Sequence, residues 1–139
     1  MSIASILLPV FVQVGLMFFV LIWMGRQRAI AFKGGLRLSD IALGQRVWPA
    51  PAQQAANSYQ NQFELPVLFF ALVPLAMFTH KADLLFVVMA WLFAISRIAH
   101  AYVHLGVNDV RTRARFFGLG AVVLVAMWVI FAIRILAAL

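Results

Sequence analysis

Residues 57–105 read NSYQNQFELPVLFFALVPLAMFTHKADLLFVVMAWLFAISRIAHAYVHL, and this stretch decides the fold. The apolar run from Leu65 to Thr79 is too short to cross a membrane, and so is the run from Leu84 to Ser96. A helical crossing needs about 20 residues, so each run has to be extended away from the turn His80-Lys81-Ala82-Asp83 that separates them. Extending the first back to Asn57 draws Asn61 and Glu64 into the span. Extending the second forward to Leu105 draws in Arg97, His100 and His104. A connection this tight makes the two spans an antiparallel hairpin.

Depth in such a hairpin can be counted from the turn. Glu64 precedes Thr79 by 15 residues and Arg97 follows Asp83 by 14. At about 1.5 Å per residue both lie roughly 21–23 Å from the turn. The same count predicts Asn61 level with His100, and Ser58 level with His104. Asn61 and Glu64 are spaced i,i+3, and Arg97, His100 and His104 fall at i, i+3 and i+7, one stripe of a helix. A charge at mid-membrane costs about 2.5–3.5 kcal/mol on insertion scales, and pairing Glu64 with Arg97 offsets part of it. Pro66 frees the carbonyl of Gln62 from helical bonding. The pair alone serves equally to hold helix register. Asn61, His100 and His104 are more than register needs, so the set points to a polar binding pocket.

Working outward, the run from about Ile3 to Met24 is a first crossing. It has no basic segment before it and no small-residue cleavage site after it, so it is expected to be retained. A fourth crossing is expected over residues 116–139, with Arg134 near its far end. The chain therefore reads as all-α, a single integral membrane four-helix domain over residues 1–139, with helices at about 3–24, 57–79, 84–105 and 116–139. The composition agrees: 65% of residues are hydrophobic and 11% charged, and mean hydropathy is +1.01. That is too little polar surface for a soluble domain. The net charge of +7 resides in connections and helix ends, Arg26, Arg28, Lys33, Arg37 and Arg46 after the first helix and Arg111, Arg113 and Arg115 before the fourth. This pattern argues for membrane orientation rather than nucleic-acid binding, with the two basic loops cytoplasmic and both termini on the opposite side. The chain has no cysteine, which excludes disulfides, thiolate metal sites and a cysteine nucleophile; no metal site is expected. Trp23, Trp48, Phe116 and Phe117 read as interfacial anchors, and Tyr59 and Tyr102 as packing residues.

Asn61-Gln62-Phe63-Glu64 resembles the Asn-x-x-Glu signature on the second helix of the MAPEG family, the membrane-associated proteins in eicosanoid and glutathione metabolism. Arg97-Ile98-Ala99-His100, followed by Leu105-Gly106, is similar to that family's Arg-x-x-His segment on helix 3. Arg113 falls where members carry a thiolate-stabilising arginine, and Gly25-Arg26-Gln27-Arg28 resembles the basic end of their first helix. The specific part of the resemblance runs from about Asn57 to Phe117.

The resemblance implies a four-helix protomer in a homotrimer, with glutathione as co-substrate bound between subunits near the cytoplasmic side. It implies Arg113 as the catalytic residue, and Arg28, Asn61, Glu64, Arg97 and His100 as glutathione-binding residues. His104 joins this set in place of a tyrosine. Arginines suit the two carboxylates of the tripeptide and Glu64 its ammonium, while a cation beside the thiol favours thiolate. The second substrate would be a lipophilic electrophile entering from the bilayer. The chain departs from the family pattern at Gln60, where other members have arginine, and at Ala114 and Phe117, where they carry hydroxyls; Pro66 lies one place nearer Glu64. These departures leave open a second function, a non-catalytic trimeric scaffold or accessory subunit. A proton-coupled exporter built on Glu64 is disfavoured, because an adjacent arginine would hold the carboxylate ionised. Haem ligation by His100 and His104 is disfavoured because both lie on one helix.

Overall fold

The computed structural model describes residues 1–44 and 47–138, and among these there is no strand. The elements are α1 (Ile3–Lys33), α2 (Leu38–Ile41), α3 (Ala50–Asn61), α4 (Leu65–Phe78), α5 (Leu84–Leu105) and α6 (Val110–Leu136). Among the described residues four stretches are long and apolar enough to cross a membrane: α1, α3 with α4 taken together, α5 and α6. Arg46, expected in the first basic connection, lies outside the described residues.

Helix boundaries differ from the sequence expectation wherever polarity was taken as the end of a helix. α1 does not stop at Met24 but runs on through Arg26 and Arg28 to Lys33. Arginine, glutamine and alanine are good helix formers, so a change to polar residues ends the apolar span without ending the helix. The helix stops only at Gly34-Gly35, where Gly35 takes φ +106°, a conformation that favours glycine. At 31 residues α1 is about 46 Å long, well beyond a hydrocarbon core of about 30 Å. α6 likewise begins at Val110 rather than Phe116, because Asp109 caps it. The Asp109 carboxylate accepts from Thr112 N (3.0 Å) and Thr112 Oγ1 (2.5 Å), and these hydrogen bonds hold its pKa below the ordinary value. Arg111, Arg113 and Arg115 therefore sit on the first turns of α6 and not in a loop.

The second span, expected as one helix over 57–79, is two. Pro49 and Pro51 open α3, and the chain leaves helical geometry at Gln62-Phe63-Glu64, with Glu64 at φ −94°, ψ −101°. Pro66 is the cause. It has no N–H to continue the ladder and its ring crowds the carbonyl of Gln62, but it is well tolerated in the first turn of a new helix.

The apolar core lies toward the turn end of the hairpin. Phe69, Leu72, Val73 and Ala76 of α4 pack against Phe86, Ala90 and Phe93 of α5, with Ile6 of α1 and Leu124 and Met127 of α6. The rings of Phe69 and Phe93 stack at 4.8 Å. Asp83 closes this end by capping Phe86 N (3.0 Å) and pairing with Arg134 Nη2 at 2.8 Å, so the start of α5 is tied to the end of α6. The hydrogen bond from Arg134, opposed by partial burial, holds the Asp83 carboxyl below its ordinary pKa. The pair is half in solvent and worth at most about 1 kcal/mol, and the cap adds about 1 kcal/mol. Asp83→Ala should therefore lower stability by roughly 1–2 kcal/mol in a denaturant titration in micelles. A depressed folded-state pKa gives stability that is present above the unfolded value of about 3.9 and lost as pH falls through the folded one. The gap between wild type and Asp83→Ala should accordingly close on acidification below about pH 4; a gap unchanged down to that range would remove the ion pair from the account.

Candidate functional site

The break between α3 and α4 leaves two helix ends inside one membrane span, and charged side chains meet both. Arg97, fully buried on α5, donates from Nη2 to the Oδ1 of Asn61 and to its backbone carbonyl (3.4 Å). A guanidinium thus sits at the carbonyl end of α3. Glu64 is the N-cap residue of the new helix and makes no side-chain capping bond there, so its carboxylate stands near the amide end of α4 without closing it. Both placements match the helix dipoles.

The direct Glu64–Arg97 pair expected from depth counting is not formed. Among the described residues the ion pairs are Arg37–Asp40 and Asp83–Arg134. Asn61 stands between the two charges instead, accepting from Arg97 and donating from Nδ2 to Glu64 Oε2 at 3.1 Å. The height was counted correctly to within a turn, but the unwound residues 62–64 rotate Glu64 off the α5-facing side and leave it exposed.

Beside Asn61 lies a cavity of about 260 Å³ lined by Asn61, His100, His104, Val110, Arg113, Ala114 and Phe117. The i,i+4 histidines are in edge contact, ring centroids 5.5 Å apart. Phe117 forms one wall, 5.9 Å from the His100 ring and 6.0 Å from the Arg97 guanidinium carbon; it is not merely an interfacial anchor. Arg113 donates from Nη1 to Asn108 Oδ1 at 2.7 Å, and Asn108 reaches that position by adopting φ +53°, which asparagine tolerates. Gln54 of α3 donates to the carbonyls of His104 (2.6 Å) and Gly106 (3.0 Å), fastening the last turn of α5 against α3. Arg97 Nε and Nη1 and the Nδ1 atoms of both histidines are buried with no partner. Buried polar atoms are ordinarily satisfied by protein or by water, so these groups are available to bond water or a polar ligand. The Arg113 guanidinium and the amide end of α6 line it, Arg97 lies nearby at 6.0 Å from the Phe117 ring, and none of its lining residues is a carboxylate, so the ligand group it suits is an anion.

Three of the residues expected here, Arg97, Glu64 and Arg28, do not line this cavity. Arg28 lies in a separate cleft of about 410 Å³ with Gly44, Trp48, Gln53, Ala56, Asn57 and Gln60, its guanidinium carbon 4.9 Å from the centroid of the Trp48 ring. α3 separates the two openings, presenting Asn61 to one and Gln60 to the other.

One polar contact escaped the sequence reading. Gln13 of α1 is fully buried and donates to Gln62 Oε1 at 3.1 Å, while Gln62 donates to the Ser58 carbonyl at 3.3 Å. The carbonyl end that Pro66 exposes is thereby tied to α1. A lone amide in the apolar run from Ile3 to Met24 was the available signal.

No curated protein and no solved structure matches the chain. A model of the MAPEG family matches it over residues 6–133, nearly the whole chain and all four apolar spans, and the chain belongs to the MAPEG family.

Proposed function

We propose that this protein is a membrane-bound glutathione transferase, or a related glutathione-dependent enzyme, acting on lipophilic electrophiles. The observation that carries the reading is the cavity lined by Asn61, His100, His104 and Arg113, backed by Arg97 with two unpaired buried N–H positions. Glutathione offers two carboxylates and an ionisable thiol, and this is an anion site in a low-dielectric wall, where charge-assisted hydrogen bonds are strong. Bound there, the tripeptide would supply the sulfur nucleophile. Arg97 and Arg113 would hold its anionic groups, Asn61 would orient them, and Arg113 would favour the thiolate over the thiol.

The protein acts as a homotrimer in this reading. Glu64 is exposed on a span that crosses the membrane, and a carboxylate facing lipid is costly; covering it with a neighbouring subunit removes that cost. The same packing would bring the Arg28 cleft of one protomer to the Glu64 side of the next, so both residues would enter the site from across the interface. The basic connections face the cytoplasm and the termini the other side, which opens the cavity to cytosolic glutathione.

Calorimetric titration of the purified protein in micelles tests the proposal. Wild type should bind glutathione in the millimolar range or tighter, and Arg113→Ala should weaken binding by about 10- to 100-fold, as loss of a charge-assisted contact does. Absence of binding to wild type at several millimolar glutathione would refute the enzyme reading.

A further inference from the structure

Arg113 lines the cavity from the first turn of α6. Its main chain is fixed by the start of that helix, with Arg113 N–H donating to the Asp109 carbonyl at 2.9 Å. The helix does nothing to fix the guanidinium, at the end of a side chain whose freedom is among the costliest to lose. Asp109, the nearest carboxylate along the chain, is already engaged, accepting from Thr112 N and Thr112 Oγ1. Among the described residues no carboxylate pairs with Arg113. What holds it is a neutral oxygen, Oδ1 of Asn108, which accepts from Nη1 at 2.7 Å.

Asn108 is itself held in place. Its φ of +53° is one that asparagine adopts more readily than most side chains. Its N–H donates to the Val103 carbonyl at 2.7 Å, closing the end of α5. Gln54 donates to the carbonyls of His104 and Gly106, so the corner between α5 and α6 is also anchored to the helix that carries Asn61. Asn108 is half-buried and does not line the cavity. The type of acceptor matters electrostatically. A carboxylate in this place would hold the guanidinium too, but it would cancel the charge beside a site that suits an anion. An amide oxygen orients without neutralising, and it leaves further N–H groups of the guanidinium fork for a ligand.

We infer that Asn108 is the positioning residue for Arg113, ordering the guanidinium at the cavity before the ligand arrives and leaving its positive charge intact. Asn108 touches no substrate in this scheme and acts through the arginine. Its consequence for binding rests on the glutathione reading above; the order it imposes on Arg113 does not.

Asn108→Gly removes the side chain and keeps the backbone, since glycine adopts a positive φ without strain, and its melting temperature in micelles should stay close to that of wild type. Nuclear magnetic resonance of protein carrying nitrogen-labelled arginine reads the guanidinium directly, with the Arg113 Nε–H signal identified by its loss in Arg113→Ala. Without ligand, that signal should report an ordered side chain in wild type and a mobile one in Asn108→Gly. Glutathione affinity should fall about 2- to 10-fold in the glycine variant, the effect of having to order one long side chain on binding. Asn108→Asp should keep Arg113 ordered yet weaken binding by about tenfold or more, because a charged acceptor neutralises the arginine and repels the ligand. An Arg113 side chain that is mobile in wild type, or equally ordered in Asn108→Gly, overturns the proposal even if affinity has fallen. Unchanged affinity in either variant overturns it as well. If Asn108→Gly fails to fold, the wild-type signal and Asn108→Asp decide. Failure of wild type to bind glutathione is a different result: it removes the functional reading, while the resonance comparison still decides whether Asn108 orders Arg113.

Discussion

Asn61→Leu should be the most destabilising single change at the site, by about 3 kcal/mol or more. Asn61 is the one side chain that touches both charges of the broken span, accepting from Arg97 and donating to Glu64. Leucine preserves the volume and removes every polar atom. The Arg97 guanidinium, fully buried and already carrying two unpaired nitrogens, would keep only the backbone carbonyl at 3.4 Å. Breaking a buried charged contact by deleting one partner typically costs about 3–5 kcal/mol, because the other charge remains enclosed. Removing both charges should relieve much of this, so Asn61→Leu combined with Arg97→Met should be more stable than Asn61→Leu alone. Thermal and denaturant unfolding in detergent would measure the cycle. An Asn61→Leu protein within about 0.5 kcal/mol of wild type would show that Arg97 does not depend on Asn61 and that the Glu64–Asn61–Arg97 contacts do not hold the broken span.

Gly120→Leu should do comparable damage by a different route. A β-carbon at this position would come within 2.8 Å of Ser96 Oγ and 3.8 Å of Arg97 Cδ. Ser96 has little room to yield, since its hydroxyl already donates to the Phe93 carbonyl at 2.6 Å. A close approach of α6 to α5 is thus made over a residue with no side chain, the device by which membrane helices gain packing that apolar burial cannot supply against lipid. Overpacking of a filled core costs about 1–3 kcal/mol; alanine should fall within that range and leucine above it. Because the same contact backs Arg97, glutathione binding should weaken in parallel with stability. Gly118 is the control, with open space where its β-carbon would be; Gly118→Ala should be neutral or slightly stabilising through helix propensity. Equal melting temperatures for Gly118→Ala and Gly120→Ala would contradict the packing argument.

How far the sequence could be read depended on which property was local. Apolar length located the four spans, and Asp83 and the residues around it marked the hairpin turn. The rise per residue put Arg97 within a turn of its partner, and the i,i+3,i+7 spacing put Arg97, His100 and His104 on one face of α5, where all three are buried. Helix ends were less legible, because hydropathy reports where a membrane stops and not where a helix does; α1 and α6 both run past it. The effect of Pro66 was anticipated as a freed carbonyl and turned out larger, dividing the span and turning Glu64 outward.

The order of apolar and polar residues alone was enough to give four apolar spans, the hairpin, the heights of Asn61 and Arg97 to within a turn and, through its short motifs, the family, since each of these follows from rise per residue and from neighbours along the chain. Only the folded chain decided which groups touch: that Asn61 mediates between Glu64 and Arg97, that Phe117 walls the cavity, that Gln13 reaches Gln62 across 49 positions, and that Arg28 stands in a different cleft. Those outcomes depend on how each helix is rotated about its axis, and rotation is set by packing between helices, by Gly120 against Ser96 and by the proline break, none of which a count along one strand of sequence contains.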